Sequence, residues 1–177
     1  QGFVRHNHQG RPPACGKMLR HAILVLVLCV CATVARARKV CSGSYHTCSV
    51  EKDGSVMCWG KNGFGQLGDN SQVDKVNPTA VSEIDSATSV ACGVCHTCAS
   101  LTNGTVMCWG DNSQKQLGLD IGLINVPTAV PDISDVTSVA ANSYHTCALL
   151  TDGTIKCWGY NANGQIGVGS SGNFITT

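Results

Sequence analysis

The stretch HTCSVEKDGSVMCWGKNGFGQLG, His46–Gly68, decides the fold, because the chain carries it three times. It returns as HTCASLTNGTVMCWGDNSQKQLG at His96–Gly118 and as HTCALLTDGTIKCWGYNANGQIG at His145–Gly167, at intervals of 50 and 49 residues. A period of that size marks one supersecondary unit that buries its apolar face against copies of itself.

Within each copy a cysteine-bearing segment is followed by an Asx-Gly dipeptide and then by a short run of β-favouring residues, as in Asp53-Gly54 and Val56-Met57-Cys58-Trp59. That pattern predicts a hairpin. An Asx-Gly pair suits a two-residue turn or a type I turn closed by a left-handed glycine, and only the second sets Cys48 opposite Cys58. Counting outward from the turn makes 48 and 58 a non-hydrogen-bonded pair, where the backbones approach to about 4.5 Å and a disulfide fits. Cys98 with Cys108 and Cys147 with Cys157 have the same spacing, so three cross-strand disulfides are predicted. Each closes a loop of about ten residues, worth roughly 2–3 kcal/mol on the chain-entropy account. Gly60, Gly65 and Gly68 then bracket a polar run with a single apolar Leu67, which predicts tight turns. Trp59, Trp109 and Trp158 are the largest apolar groups on offer and are expected to pack between units.

The glycine count of 20 and the 13% charged fraction fit a loop-rich β protein. Residues 18–37 differ: Met18-Leu19-Arg20-His21 precedes the apolar run Ala22–Val34 and the small-residue motif Ala35-Arg36-Ala37. A basic start, a short apolar centre and an A-x-A site predict a secretory signal, and the run falls short of the roughly 20 residues that span a bilayer. Residues 1–17 read as upstream sequence outside the mature protein. Cleavage after Ala37 removes Arg5, Arg11, Lys17, Arg20 and Arg36, leaving 7 Lys+Arg against 11 Asp+Glu. A mildly acidic mature chain predicts no nucleic-acid surface and, with the signal removed, no membrane insertion. Cys41, Cys92 and Cys95 stay outside the three hairpin pairs, with a local Cys92–Cys95 bridge or other partners as the open alternatives. Asn103-Gly104-Thr105 is an N-glycosylation sequon in the second hairpin turn.

Residues 38–177 thus read as three repeats, about 40–89, 90–138 and 139–177, the last one unfinished. Pro78–Val81 and Ala87–Ala91 read as two further strands, repeated as Pro127–Val130 and Val136–Ala140, so one unit supplies about four strands. The one-residue deletion falls between Gly118 and Pro127. Length changes belong in exposed loops, so 69–77 and 119–126 are the expected variable segments, with Asp69, Asn70, Gln72, Asp74, Lys75, Asp120 and Asn125 as candidate binding residues.

The ordered recurrence of HTC, DG, CWG and GQLG over Val40 to about Gly167 resembles the regulator of chromosome condensation repeat family. The resemblance implies an all-β propeller, with seven blades of four antiparallel strands in most members, of which this chain would hold two and a partial third, the remainder continuing past Thr177. It also implies structural places for His46, His96 and His145. Lys115 stands where the family prefers glycine. The founding activity, nucleotide exchange on a nuclear GTPase, maps onto no residue here. Secreted relatives, including a β-lactamase-binding inhibitor and plant receptor ectodomains, are the nearer analogues.

Cys92-Gly93-Val94-Cys95-His96 spells a c-type haem attachment pattern, and Cys92, Cys95, His96 and Cys98 would also make a compact zinc set. Neither cysteine pattern recurs at His46 or His145, and Cys98 is better matched with Cys108, so no cofactor is expected. No nucleophile elbow, phosphate loop or carboxylate cluster points to an enzyme. The expectation is an extracellular, non-catalytic propeller that binds a protein through its variable loops. A secreted carbohydrate-binding propeller and an exchange factor with a misread N-terminus are the alternatives.

Overall fold

The computed structural model describes residues 39–169; residues 1–17, the signal-like segment 18–37 and the last residues of the third repeat lie outside the described residues. Among the described residues there are eleven strands and no helix. The first blade is β1 (Val40–Ser42), β2 (His46–Val50), β3 (Val56–Gly60) and β4 (Lys75–Ala80); the second is β5 (Ala87–Cys92), β6 (His96–Leu101), β7 (Val106–Gly110) and β8 (Ile124–Ala129). The third shows β9 (Val136–Asn142), β10 (His145–Leu150) and β11 (Ile155–Gly159). Each sheet is an antiparallel meander in chain order. The fold is therefore all-β, built of propeller blades.

The hairpin at the centre of each blade follows from its turn. Gly54 N–H donates to the Glu51 carbonyl at 3.1 Å, Glu51 N–H donates to Ser55 O at 2.8 Å, and Gly54 has φ 89°. That left-handed glycine closes the turn with the register His46↔Gly60, Cys48↔Cys58, Val50↔Val56. Cys48–Cys58, Cys98–Cys108 and Cys147–Cys157 are disulfides, each with Cα atoms 4.1 Å apart.

The sheets change at 81–86 and at 130–135. Repeat limits at 89/90 and 138/139 therefore cut β5 and β9, whose strands pair with β6 and β10 in the following blade. The fourth strand of each complete blade also starts earlier than Pro78 and Pro127. Lys75 pairs with Gly60 and Ile124 with Gly110, which shortens the two loops to 69–74 and 119–123.

The core lies between blades. Cys48, Val56, Leu67, Ile84, Ala99 and Trp109 fill the first junction; Cys98, Val106, Leu117, Val130, Ala148 and Trp158 fill the second. A buried polar latch crosses each junction. His46 Nε2 meets Thr97 Oγ1 at 2.9 Å, the Thr97 hydroxyl donates to Gln66 O at 2.8 Å, and Trp109 Nε1–H donates to the same carbonyl at 2.9 Å. The second junction repeats this with His96, Thr146, Gln116 O and Trp158 at 3.0, 2.8 and 3.0 Å. Gly68 is needed for the fit, since a Cβ there would stand 2.7 Å from the Trp109 indole nitrogen.

Because the threonine proton is committed to the carbonyl, the histidine must donate through Nε2–H, which leaves Nδ1 bare. Nδ1 of both His46 and His96 is buried without a partner. Burial lowers the His46 pKa from 6.5 to about 4; burial and then the fields of His46 and His145 lower that of His96 to about 3. Both rings are neutral structural groups at physiological pH.

A candidate binding face

Strand direction gives the blades two ends. One end carries the short turns 43–45, 93–95 and 143–144 together with the segments 61–74, 111–123 and 160–169. Lys61 N–H donates to Tyr45 O, Asp111 N–H to Cys95 O and Tyr160 N–H to Tyr144 O, at 2.8–2.9 Å, and Val94 N–H reaches Ser143 O of the next blade at 3.1 Å. The opposite end carries the hairpin turns and the connections between blades, tied by Ala87 N–H to Gly54 O at 2.9 Å and Thr151 N–H to Asp135 O at 2.8 Å.

The first end is organised by a buried asparagine. Asn62 Nδ2 donates to Asp69 Oδ1, Ser71 O and Val73 O at 3.0–3.2 Å, and its Oδ1 accepts from Leu67 N–H at 3.0 Å. Asn112 repeats the scheme, donating to Leu119 O at 2.8 Å and to Ile121 O, and accepting from Leu117 N–H at 3.0 Å. Asn161 accepts from Ile166 N–H at 3.1 Å. This hub is absent from the sequence reading, although Asn62, Asn112 and Asn161 recur at the repeat period. The glycines around them draw the eye to turns and away from the residue that holds those turns.

The hub also accounts for most of the candidate loop residues. Asp69 is turned inward with its side chain 6% exposed and pairs with Lys75 at 3.2 Å. Burial opposes its charge, but hydrogen bonds from Ser71, Lys75 and Asn62 outweigh burial and hold its pKa below the ordinary value. Asp74 accepts from Asn62 N–H at 2.8 Å and pairs with Lys61 at 2.8 Å, which lowers its pKa. Asn70, with φ 60°, donates its N–H to Asn125 O at 3.0 Å across the first junction. Lys75 and Asn125 lie in β4 and β8 and not in loops, because their segments pair with the third strand of their own blades. Asp120 is exposed beside Lys115 at 3.4 Å, and Gln72 is exposed. The charges on this face are thus largely matched within it.

What the face turns outward is apolar. Tyr45, Phe64, Val73, Ile121, Leu123 and Tyr144 are between 39% and 67% exposed. The opposite end presents acids instead: Asp53, Glu83, Asp85, Asp132, Asp135 and Asp152 are all exposed. A groove of about 610 Å³ runs between the second and third blades, lined by Lys115, Leu119, Asp120, Ile133, Lys156 and Trp158.

The cysteines outside the hairpins resolve differently from a local bridge. Cys92 is bonded to Cys41 across the first junction, with Cα atoms 5.5 Å apart, and Cys95 is free. Cys92 ends a strand that faces the preceding blade, whereas Cys95 sits in the turn beyond it. With Cys92 bonded to Cys41 and Cys98 to Cys108, the haem-like pattern has one of its two thiols engaged elsewhere and the zinc-like set two of its four residues. Asn103 Oδ1 accepts from Thr105 N–H at 3.0 Å and Thr105 Oγ1–H at 2.7 Å, an Asx turn on the acidic end with the asparagine exposed. Among the described residues no helix is long and apolar enough to cross a membrane.

Among curated proteins, a 45-residue stretch is 42% identical to a probable E3 ubiquitin-protein ligase, HERC4, of Homo sapiens; the match covers 25% of this chain and 4% of that protein. Among solved structures, Prp20p from Saccharomyces cerevisiae superimposes with a TM-score of 0.66 at 25% identity, covering 76% of this chain and 36% of that one. Human WBSCR16 superimposes with a TM-score of 0.64 at 23% identity, covering 70% and 33%. The chain therefore spans about a third of the propellers it resembles and a small part of the ligase. The regulator of chromosome condensation (RCC1) repeat matches at 37–66, 87–116 and 136–165, and again in longer form at 53–100 and 103–149, so that this chain belongs to the RCC1 repeat family.

Proposed function

We propose that this chain is a non-catalytic, protein-binding propeller module working outside the cell, and that it docks its partner on the apolar end described above. One observation carries the reading: that end matches its own charges and leaves a set of large apolar side chains in solvent, the composition of a protein contact and not of a nucleic-acid surface. The binding of Prp20p to Gsp1p and histones supports a protein as the class of partner. The four disulfides support an oxidising compartment. His46 and His96 are neutral and held in latches, which speaks against a catalytic task for them.

A photo-crosslinking residue at Val73 or Ile121 tests the site. The expected result is one and the same polypeptide adduct from both positions and none from Thr102 or Asp132 at the acidic end. Equal adducts from both ends remove the assignment, and saturable binding to a glycan array without any protein adduct replaces it with carbohydrate recognition. Export is tested in secreting cells, where a mass loss on glycosidase treatment that Asn103→Gln abolishes is expected.

A further inference from the structure

The first blade holds a row of cysteines that the others lack. Cys48 sits at the centre of three adjacent strands, opposite Cys58 on β3 and opposite Cys41 on β1. In the second and third blades the position of Cys41 is Ala91 and Ala140, which face Cys98 and Cys147. Opposite residues in an antiparallel pair point to the same side, so the three sulfur-bearing side chains share one face, and Cys92 arrives at that face from the next blade. The Sγ atoms of Cys41, Cys48 and Cys92 lie within 4.8 Å of one another. Cys48 therefore has a second geometrically suitable partner. Cys41 and Cys48 form a hydrogen-bonded pair, since Gly43 N–H to His46 O and Val50 N–H to Lys39 O mark the hydrogen-bonded pairs two positions away on either side. Such pairs have Cα atoms about 5.5 Å apart, within the span that a disulfide bridges.

We propose that Cys41 is a switching cysteine, bonded to Cys92 as a clasp between blades in the oxidised chain and to Cys48 within the first blade after a two-electron reduction. A small external dithiol is the reductant. Its first thiolate attacks Cys41 Sγ, the half-buried and more open sulfur of the clasp, and Cys92 leaves as a thiolate. Its second thiol closes on the mixed disulfide, so the reagent departs oxidised and Cys41 is released as a thiolate. Cys41 then attacks Cys48 Sγ, the Cys48–Cys58 bond breaks, and Cys58 takes up the electron pair and a proton. The two reduced cysteines end as Cys58 and Cys92, and the clasp between blades is gone. Cys95 does not compete as the nucleophile, because burial, and then the Asp111 carboxylate, raise its thiol above the ordinary range.

The test is limited reduction of the intact chain with a dithiol, quenched by alkylation and mapped by peptide mass. The expected products are a Cys41–Cys48 linked peptide and alkylation at Cys58 and Cys92, with Cys58 modified at least about tenfold faster than Cys108 or Cys157, as an intramolecular attacking thiol requires. Cys92→Ser provides the second measurement: with no reductant, its unpaired thiol should divide between Cys41 and Cys58. Labelling confined to Cys41 and Cys92, with no Cys41–Cys48 peptide at any time and Cys58 no faster than Cys108, overturns the proposal. So does a Cys92→Ser chain whose label stays on Cys41, Cys58 remaining protected.

Discussion

The middle blade and its neighbours carry the same residues at the same places and bury them differently. Trp109 and Thr97 are fully buried while Trp59 and Thr47 are half-buried; Gln66 and Gln116 are buried while Gln165 is exposed; His96 is buried while His145 is half-buried. Direction explains the pattern. A blade gives its histidine and glutamine carbonyl to the blade that follows and its threonine and tryptophan to the blade that precedes. Only the second blade has a described neighbour on both sides. Burial here is a property of a junction and not of a repeat, so the same substitution should cost different amounts in different copies.

The largest expected contrast is at tryptophan. Trp109→Ala should destabilise by about 3–5 kcal/mol, losing both the filled volume and the indole hydrogen bond to Gln66 O. Trp59→Ala should cost roughly 1–2 kcal/mol, since its ring is already partly in water. Denaturant midpoints of the two variants check this, and equal losses would mean that the junctions do not carry the stability.

Acid should separate the junctions from the rest at the next level. The folded His46 pKa lies below its unfolded value, so the unfolded chain binds the proton first; its contribution is complete above about pH 6.5 and is lost as pH falls toward 4. A shift of that size corresponds to about 3 kcal/mol, and His96 adds to it in the same direction. Unfolding curves between pH 7 and pH 4.5 should therefore weaken steeply. In His46→Gln the slope should flatten, because an amide can donate to Thr97 without titrating, and an unchanged slope would assign the acid sensitivity elsewhere.

The smallest contrast is a backbone one. Lys115 has φ 59° where the sister positions are Gly65 at 71° and Gly164 at 74°. Lys115→Gly should stabilise by about 1 kcal/mol by relieving the left-handed conformation. Gly65→Ala should destabilise, since its Cβ would stand 2.7 Å from the Asn125 Cα. Thermal midpoints moving in opposite directions are the expected readout.

These contrasts also mark what could be read from the chain itself. The hairpins were legible because Asp53-Gly54, Asn103-Gly104 and Asp152-Gly153 fix a local turn, and a local turn fixes register. The starts of β4 and β8 were not: Lys75-Val76-Asn77 and Ile124-Asn125-Val126 are edge segments, mostly turned to solvent or only half covered, without the alternation that marks a strand. Their strand character comes from pairing with β3 and β7. The Cys41–Cys92 bond was hidden for a related reason. Its partners are 51 residues apart, one more than the repeat, so period counting aligns Cys41 with Ala91 and Cys92 with Ser42. The segments 69–77 and 119–126 run into β4 and β8 at their last residues, and the polar residues singled out in them mostly hold the loops together. The outward side chains, Val73 and Ile121 among them, became visible only once Asn62 and Asn112 were seen to gather the polar ones inward.

The latch has a consequence for how such an array can lengthen. Each added period brings one histidine, one threonine, one tryptophan and one glutamine carbonyl, which together complete one more junction, so stability accumulates junction by junction. A whole blade inserted in the connection 81–86 or 130–135 would separate no latch partner from its own sheet, whereas one inserted between His46 and Gly68 would split a hairpin from the carbonyl that its neighbour needs.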